Sequence, residues 1–213
     1  ALTVTGAHLN IPVAHIQGGE VSGTIDESLR HAMSKLSNFH FTATNETKKR
    51  LVKLGEEKKN IFIVGCPSID ALFQEKNLNK EYFKSKYNLD LDKPFLLVIQ
   101  HPVTSEVKDV EIQMKKTIEA IIRLKKQHLI IFPNNDAGAK KILKRIKKSK
   151  LNYTKTLNLK EYKTLLNSDM ILIGNSSSGI HEAASFNVPV INIGTRQQGR
   201  FKPKNVISVN HNV

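Results

Sequence analysis

The sequence predicts an α/β fold of largely parallel sheets with helices on both faces. Short apolar runs rich in β-branched residues alternate with amphipathic stretches along all 213 residues. Strands separated in this way need crossover connections, which parallel pairing requires. The runs FLLVI, LIIF and MILI are apolar throughout, as strands buried on both faces are.

Taken in order, IPVAHI (11–16) reads as a strand and DESLRHAMSKLSN (26–38) as a helix, with Leu29, Met33 and Leu36 at helical spacing. FHFTAT (39–44) is the next strand, and NETKKRLVKLG (45–55) is a helix with Asn45 as N-cap and Gly55 as its stop. IFIVG (61–65) follows, then helices near 68–74 and 80–86. The charged stretch FQEKNLNKEYFKSKYNLDLDKP (73–94) breaks the rhythm, so a domain boundary is expected just before it, near 66–68. Next come FLLVIQ (95–100), a long helix over 109–126 with Val110, Met114, Ile118, Ile121 and Leu124 on its apolar side, and LIIF (129–132). A basic helix, a weak strand near 153–156, a helix near 159–167 and the strand MILIG (170–174) lead to a helix over 178–186. The strands PVINIG (189–194) and VISV (206–209) complete the alternation.

Composition narrows the function classes. The chain is 39% hydrophobic, and no run approaches the roughly 20 apolar residues that span a bilayer, so no membrane partner is expected. Its opening, ALTVTGAHLNIPVAHIQ, lacks the basic start and cleavage site of a signal peptide and reads as the interior of a fold, as in part of a longer protein. The single cysteine, Cys66, excludes an internal disulfide framework and fits a reducing cytoplasm. A net charge of +14, from 33 Lys and Arg, raises nucleic-acid binding. The densest run, KKILKRIKKSK (140–150), puts Ile142, Leu143 and Ile146 on one helical face and its cations on the rest, the pattern of a packed helix with a solvated outside. With 6% aromatics and no Trp, stacking platforms for single strands are poorly supplied. Nucleic acid is therefore not expected as a partner, whereas a basic surface favours an anionic small substrate. No His, Cys or carboxylate spacing suits a metal, and no cofactor is expected.

Ligands of doubly wound sheets bind beyond the carboxyl ends of the strands. Four polar segments stand at such places: HIQGGEVSGTIDESLRH, QHPVTSE, FPNNDAG and GNSSSGIHE. Each alone has an ordinary reading, since Gly, Asn and Pro end strands and Ser or Asp caps helices. Together they mark one edge. In the last, Gly174 and Gly179 permit close approach, Ser176 and Ser177 add hydroxyl donors, and a helix starting near Ser178 would point its N–H groups at an anion. Such a site suits a phosphate or diphosphate. Glu182, one turn on, can accept from ribose hydroxyls. The Gly-Lys-Ser/Thr ending of a Walker loop is absent.

These four segments, with VGCPSIDAL and the continuation into EAASFNVPVINIGTRQQGR, resemble the hydrolysing UDP-N-acetylglucosamine 2-epimerases of sialic-acid and related nonulosonic-acid pathways. The resemblance implies a glycosyltransferase-B-type architecture of two Rossmann-like domains with the active site in the cleft between them. Residues 1–67 would be the later half of the N-terminal domain and 68–213 the UDP-binding C-terminal domain without its final helices. The implied reaction is anti-elimination of UDP to a 2-acetamidoglucal, followed by water addition to give N-acetylmannosamine. The resemblance carries Asp26 and Arg30 onto an active-site acid and its cationic neighbour, four residues apart on one helical face. It carries His101 onto a residue near the sugar and phosphate, with an ordinary pKa near 6.5 that suits a proton carrier. Ser176, Ser177 and Gly179 fall on the diphosphate, Glu182 on the ribose, Asn134 near the nucleotide and Arg196 near the cleft. A homo-oligomer, dimer or tetramer, is the family expectation.

One departure bears on catalysis. Where the family usually reads His-Ile-Glu-Gly-Gly, with the Glu among its acids, this chain has Gln17. An amide cannot exchange a proton near neutral pH but can orient a hydroxyl or a water. By the same resemblance the family's earlier catalytic Asp and N-terminal nucleotide loop precede Ala1, so an incomplete, inactive site is expected of this chain alone. The rival readings are an epimerase for a UDP-2,4-diacetamido sugar, a glycosyltransferase of the same architecture, and a non-catalytic UDP-sugar-binding protein.

Overall fold

The computed structural model describes residues 1–21 and 26–212. Ser22 to Ile25, within the first polar segment, lie outside the described residues. The chain divides into two units, Ala1–Ser68 and Ile69–Val213.

The first unit opens with helix α1 (Leu2–His8), where the sequence pattern marks only the interior of a fold. Strands β1 (Ala14–Ile16), β2 (Phe39–Thr42) and β3 (Ile61–Ile63) form a parallel sheet in the order β1-β2-β3. Between them run α2 (Asp26–Lys35) and α3 (Asn45–Lys53). The stripe expected to bury α2 faces outward, with Leu29 57%, Met33 39% and Leu36 38% exposed. Ser34 is the buried residue instead, because its hydroxyl meets Nδ1 of His15 on β1 at 3.1 Å. Thr44, not Asn45, caps α3, since the Thr44 and Thr47 side chains satisfy each other's backbone N–H groups. At the other end Gly55, with φ +89°, donates to the Val52 carbonyl while Glu56 donates to that of Leu51. That pair of bonds closes the helix as expected of a glycine stop. Helix α4 (Pro67–Gln74) contains the division between the units.

In the second unit, α5 (Lys80–Tyr87) precedes β4 (Phe95–Ile99), α6 (Val110–Leu124) and β5 (Gln127–Ile131). Then follow α7 (Ala139–Ser149), the two-residue β6 (Tyr153–Thr154), α8 (Leu159–Leu166) and β7 (Met170–Gly174). A short α9 (Glu182–Ser185) connects β7 to β8 (Val190–Ile193), and β9 (Val206–Val209) ends the sheet. All six strands are parallel, in the order β6-β5-β4-β7-β8-β9. This is the doubly wound Rossmann order, and it reverses direction between β4 and β7, where such sheets hold their ligands.

Alternation along β4 explains why the sheet needs cover on both sides. Phe95, Leu97 and Ile99 join a cluster with Phe83 of α5 and Leu165 of α8, while Leu96 and Val98 join Met114 and Ile121 of α6 with Ile142 and Ile146 of α7. Each such side chain taken from water contributes about 1.5–3 kcal/mol. Leu124, expected on the buried stripe, is 52% exposed at the last turn of α6. Lys140, Lys141, Lys144, Lys147, Lys148 and Lys150 are exposed along α7, so most of the basic run is a solvated face. One buried charge ties two helices together: Glu161 of α8 accepts from Tyr82 Oη at 2.6 Å and from Tyr87 Oη and Lys86 Nζ at 2.7 Å, all on α5.

The segment after β7 departs from expectation. A 3₁₀ turn, Ser177–Gly179, and the four residues of α9 replace the continuous helix predicted over 178–186.

Candidate functional site

The carboxyl ends of β4 and β7 lie side by side because Gly174 permits it. Its φ is +135°, and a Cβ there would sit 2.0 Å from the Ile99 carbonyl oxygen. The next residue, Asn175, is 1% exposed. Its Oδ1 accepts from the His101 N–H at 2.7 Å and its Nδ2 donates to the His101 carbonyl at 2.9 Å. Its own N–H donates to the Ile99 carbonyl at 3.0 Å. Its carbonyl accepts from Gln197 Nε2 at 2.7 Å and Arg196 Nη1 at 3.3 Å. The loop after β8 is thereby fastened to the same point.

His101 Nδ1 accepts from the Asn134 N–H at 3.0 Å, which leaves the proton of the neutral ring on Nε2. Burial first, and then the Arg196 guanidinium, push the ring down to about 4, with Asp136 acting the other way. At pH 7 His101 is therefore neutral. It is suited to donate a hydrogen bond to an anionic oxygen, and not, as it stands, to the proton shuttling its ordinary pKa suggested. Asn134 is held by a hydrogen bond from its amide to Asp136.

On the β7 side, Ser176 Oγ accepts from the Ser178 hydroxyl at 2.9 Å and from the Ser178 N–H at 3.3 Å. Its own O–H remains a donor. The Gly179, Ile180 and His181 N–H groups are bonded to the Ser176 and Ser177 carbonyls. The expected row of free helix N–H groups and a long helix dipole are thus replaced by hydroxyls and a nearby guanidinium. Gly179 has a packing reason: a Cβ there would lie 2.9 Å from Val190 Cγ1. Glu182 Oε2 is buried with no hydrogen-bond partner among the described residues. Beside Ser178, a pocket of about 240 Å³ is lined by Ile99, Ile131, Leu157, Asn158 and Tyr162. The structure thus gathers His101, Asn134, Ser176 and Arg196 around Asn175.

In the first unit, Gln17 follows β1 with φ +59° and donates from Nε2 to Cys66 Sγ at 2.8 Å. Asp26 and Arg30 stand one turn apart on α2, and Arg30 Nη1 donates to the Glu20 carbonyl at 3.2 Å.

Sequence reasoning missed Asn175, Gln197 and the Tyr162 pocket. The position of Asn175, between a strand's final glycine and the serines, was the one available signal. Among the described residues no group of three His, Cys, Asp or Glu is placed to hold a metal ion, and no helix is long and apolar enough to cross a membrane.

A family model described as UDP-N-acetylglucosamine 2-epimerase matches residues 1–213. The chain is 42% identical to the UDP-N,N'-diacetylbacillosamine 2-epimerase (hydrolyzing) of Legionella pneumophila, with 98% of this chain and 56% of that protein covered. It is 36% identical to the UDP-N-acetylglucosamine 2-epimerase of Neisseria meningitidis, covering 93% of this chain and 53% of that protein. In fold it is similar to the Methanocaldococcus jannaschii UDP-GlcNAc 2-epimerase in complex with UDP-GlcNAc and UDP. There the TM-score is 0.79 at 21% identity, with 99% of this chain and 61% of the other covered. The chain spans about half the length of the curated relatives it matches.

Proposed function

The chain belongs to the UDP-N-acetylglucosamine 2-epimerase family, and on that premise we propose that it serves a hydrolysing epimerase that converts UDP-N-acetylglucosamine to N-acetylmannosamine and UDP. The observation that carries this reading is the neutral His101 held by Asn175, the residue that precedes Ser176 and whose carbonyl takes Arg196, at the β4/β7 switch point. There the Nε2–H, the Ser176 and Ser177 hydroxyls and the Arg196 cation bind the diphosphate and stabilise the charge that grows as UDP departs. Asn134 orients His101. Glu182 takes a ribose hydroxyl on its unpartnered oxygen, and the base enters the pocket beside Tyr162.

Chemistry at the sugar falls to Asp26, Arg30 and Gln17. A base removes the C2 proton, the C–H electron pair forms the C1–C2 double bond, and the C1–O bond breaks with its electrons leaving on UDP. Water then adds across that double bond, its oxygen to C1 and a proton to C2, giving the inverted configuration. With no exchangeable proton, Gln17 positions the water or a hydroxyl, and Asp26 is the proton-transfer group, with Arg30 beside it.

The test is to incubate the full-length protein with UDP-N-acetylglucosamine in deuterated water. Release of UDP with deuterium at C2 of the sugar is expected; intact substrate overturns the reading. Combined Ser176→Ala and Ser177→Ala substitutions should weaken UDP binding at least tenfold in calorimetry. A second reading, that the sugar carries a further acetamido group at C4, is favoured by the 42% identity to the Legionella enzyme. Comparing kcat/KM for the two UDP-sugars decides between them. A cytoplasmic location, supported by the single Cys66, and a homo-oligomer are part of the same proposal; light scattering on the full-length protein reads the latter.

A further inference from the structure

We infer that Asn175 is the positioning residue of the site, acting on the nucleotide through His101 and the Arg196 loop. The inference rests on the reading that this edge binds UDP. The backbone and the side chain of Asn175 both take part, and their partners come from separate parts of the chain: Ile99 and His101 at the end of β4, and Arg196 and Gln197 after β8. A side chain that only filled space would not need this pairing. The amide offers one acceptor and one donor, 2.7 and 2.9 Å from the N–H and carbonyl of a single residue. It therefore fixes the direction in which His101 leaves β4, and with it the ring whose Nδ1 meets the Asn134 N–H at 3.0 Å. Removing the side-chain donor while keeping the shape should turn the ring without emptying the core, since the Arg196 loop bonds to the backbone carbonyl of Asn175.

Asn175→Asp makes that change and supplies a pH signature. The carboxylate introduced by N175D would still accept from the His101 N–H, but its second oxygen would face the His101 carbonyl with no proton between them. Protonation restores the donor. The titratable and charged groups around this point are Arg196, which favours the carboxylate, and the neutral His101 ring, on which Asp136 also acts. The experiment measures UDP affinity of the full-length wild type, N175D and N175A from pH 7.5 to 5, with the His101 ring followed by NMR without ligand. At pH 7.5 both variants should bind at least tenfold more weakly than wild type, with the ring resonance shifted. Towards pH 5, N175D should recover at least threefold relative to wild type while N175A does not. A folded N175D that binds UDP as tightly as wild type at pH 7.5, or N175D and N175A running parallel at all pH values, overturns the inference. If N175D does not fold at pH 7.5, N175S decides it: unchanged UDP affinity and an unshifted ring in folded N175S overturn the inference, and a tenfold loss with a shifted ring supports it. Absence of UDP binding by the wild type would sink the functional reading instead, and the ligand-free His101 shift would still judge Asn175.

Discussion

Replacing His101 with glutamine tests the electrostatics of the switch point through the pH dependence of stability. In the folded chain burial, helped by Arg196, holds the imidazole at about 4, against about 6.5 in an unfolded chain. A histidine lowered in this way binds more protons unfolded than folded. Its contribution is therefore complete above about pH 6.5 and is lost as pH falls through that value towards about 4. The gap of roughly 2.5 units is worth about 3.5 kcal/mol in full at about 1.4 kcal/mol per unit, and about 3 kcal/mol of it falls above about pH 4. Between pH 7 and 4 the wild type should lose about that much more stability than H101Q, whose amide oxygen can still accept from the Asn134 N–H. His15 and His211 are also lowered, first by burial, but they titrate in both proteins, so the difference isolates position 101. Urea unfolding followed by tyrosine emission is the assay. There is no Trp, and Tyr82, Tyr87, Tyr153 and Tyr162 all lie in the unit Ile69–Val213. Stability curves that stay parallel across this range would refute the reasoning. If a diphosphate lies against Nε2, its charge raises the ring's pKa, so UDP should bind the wild type more tightly as pH falls from 7 to 5, and H101Q should lack that rise.

Gly174→Ala should cost about 3 kcal/mol or more, because its Cβ would meet the Ile99 carbonyl oxygen at 2.0 Å on a backbone of φ +135°; a melting temperature equal to the wild type's would contradict the close β4–β7 approach. Glu161→Gln breaks a buried, charge-assisted network and should cost about 2–4 kcal/mol in urea unfolding at pH 7. Burial raises the Glu161 pKa, but hydrogen bonds from Lys86, Tyr82, the Asn158 N–H and Tyr87 outweigh it and hold the group at about 2, below its ordinary 4.5. Its stabilisation is thus complete above about pH 4.5 and lost as pH falls towards 2, a dependence that E161Q should lack. In the full-length protein Gln17→Glu should raise kcat while leaving UDP affinity within twofold of wild type; an unchanged kcat would show that an acid is not needed there.

The central strands were legible because an apolar run with helices on each side has few other ways to bury itself. FLLVI and MILI became β4 and β7, and the polar residues after them mark the site edge. What escaped was set by contacts distant in sequence. Leu29 and Met33 have helical spacing, but spacing does not say that Ser34 will instead be drawn inward by a histidine on β1. The β-branched LTVTGAH favours extended backbone, yet becomes α1. Three serines and a glycine suggested a long helix start, whereas side-chain bonding among Ser176 and Ser178 stabilises a tight turn that competes with the helix. Asn175 showed only its place between a strand's final glycine and the serines, because its role lies in bonds to His101, Arg196 and Gln197, far away along the chain.

The pairing of β4 with β7 has a consequence for how the protein matures. These strands touch in space but are separated by β5, α6, α7, β6 and α8 along the chain, and such distant parallel pairings are slow to form. A growing polypeptide therefore has no candidate site at this edge until β7 has been made and docked. A ligand of that edge cannot template the early steps; it can only trap molecules that have already finished, shifting the balance by mass action.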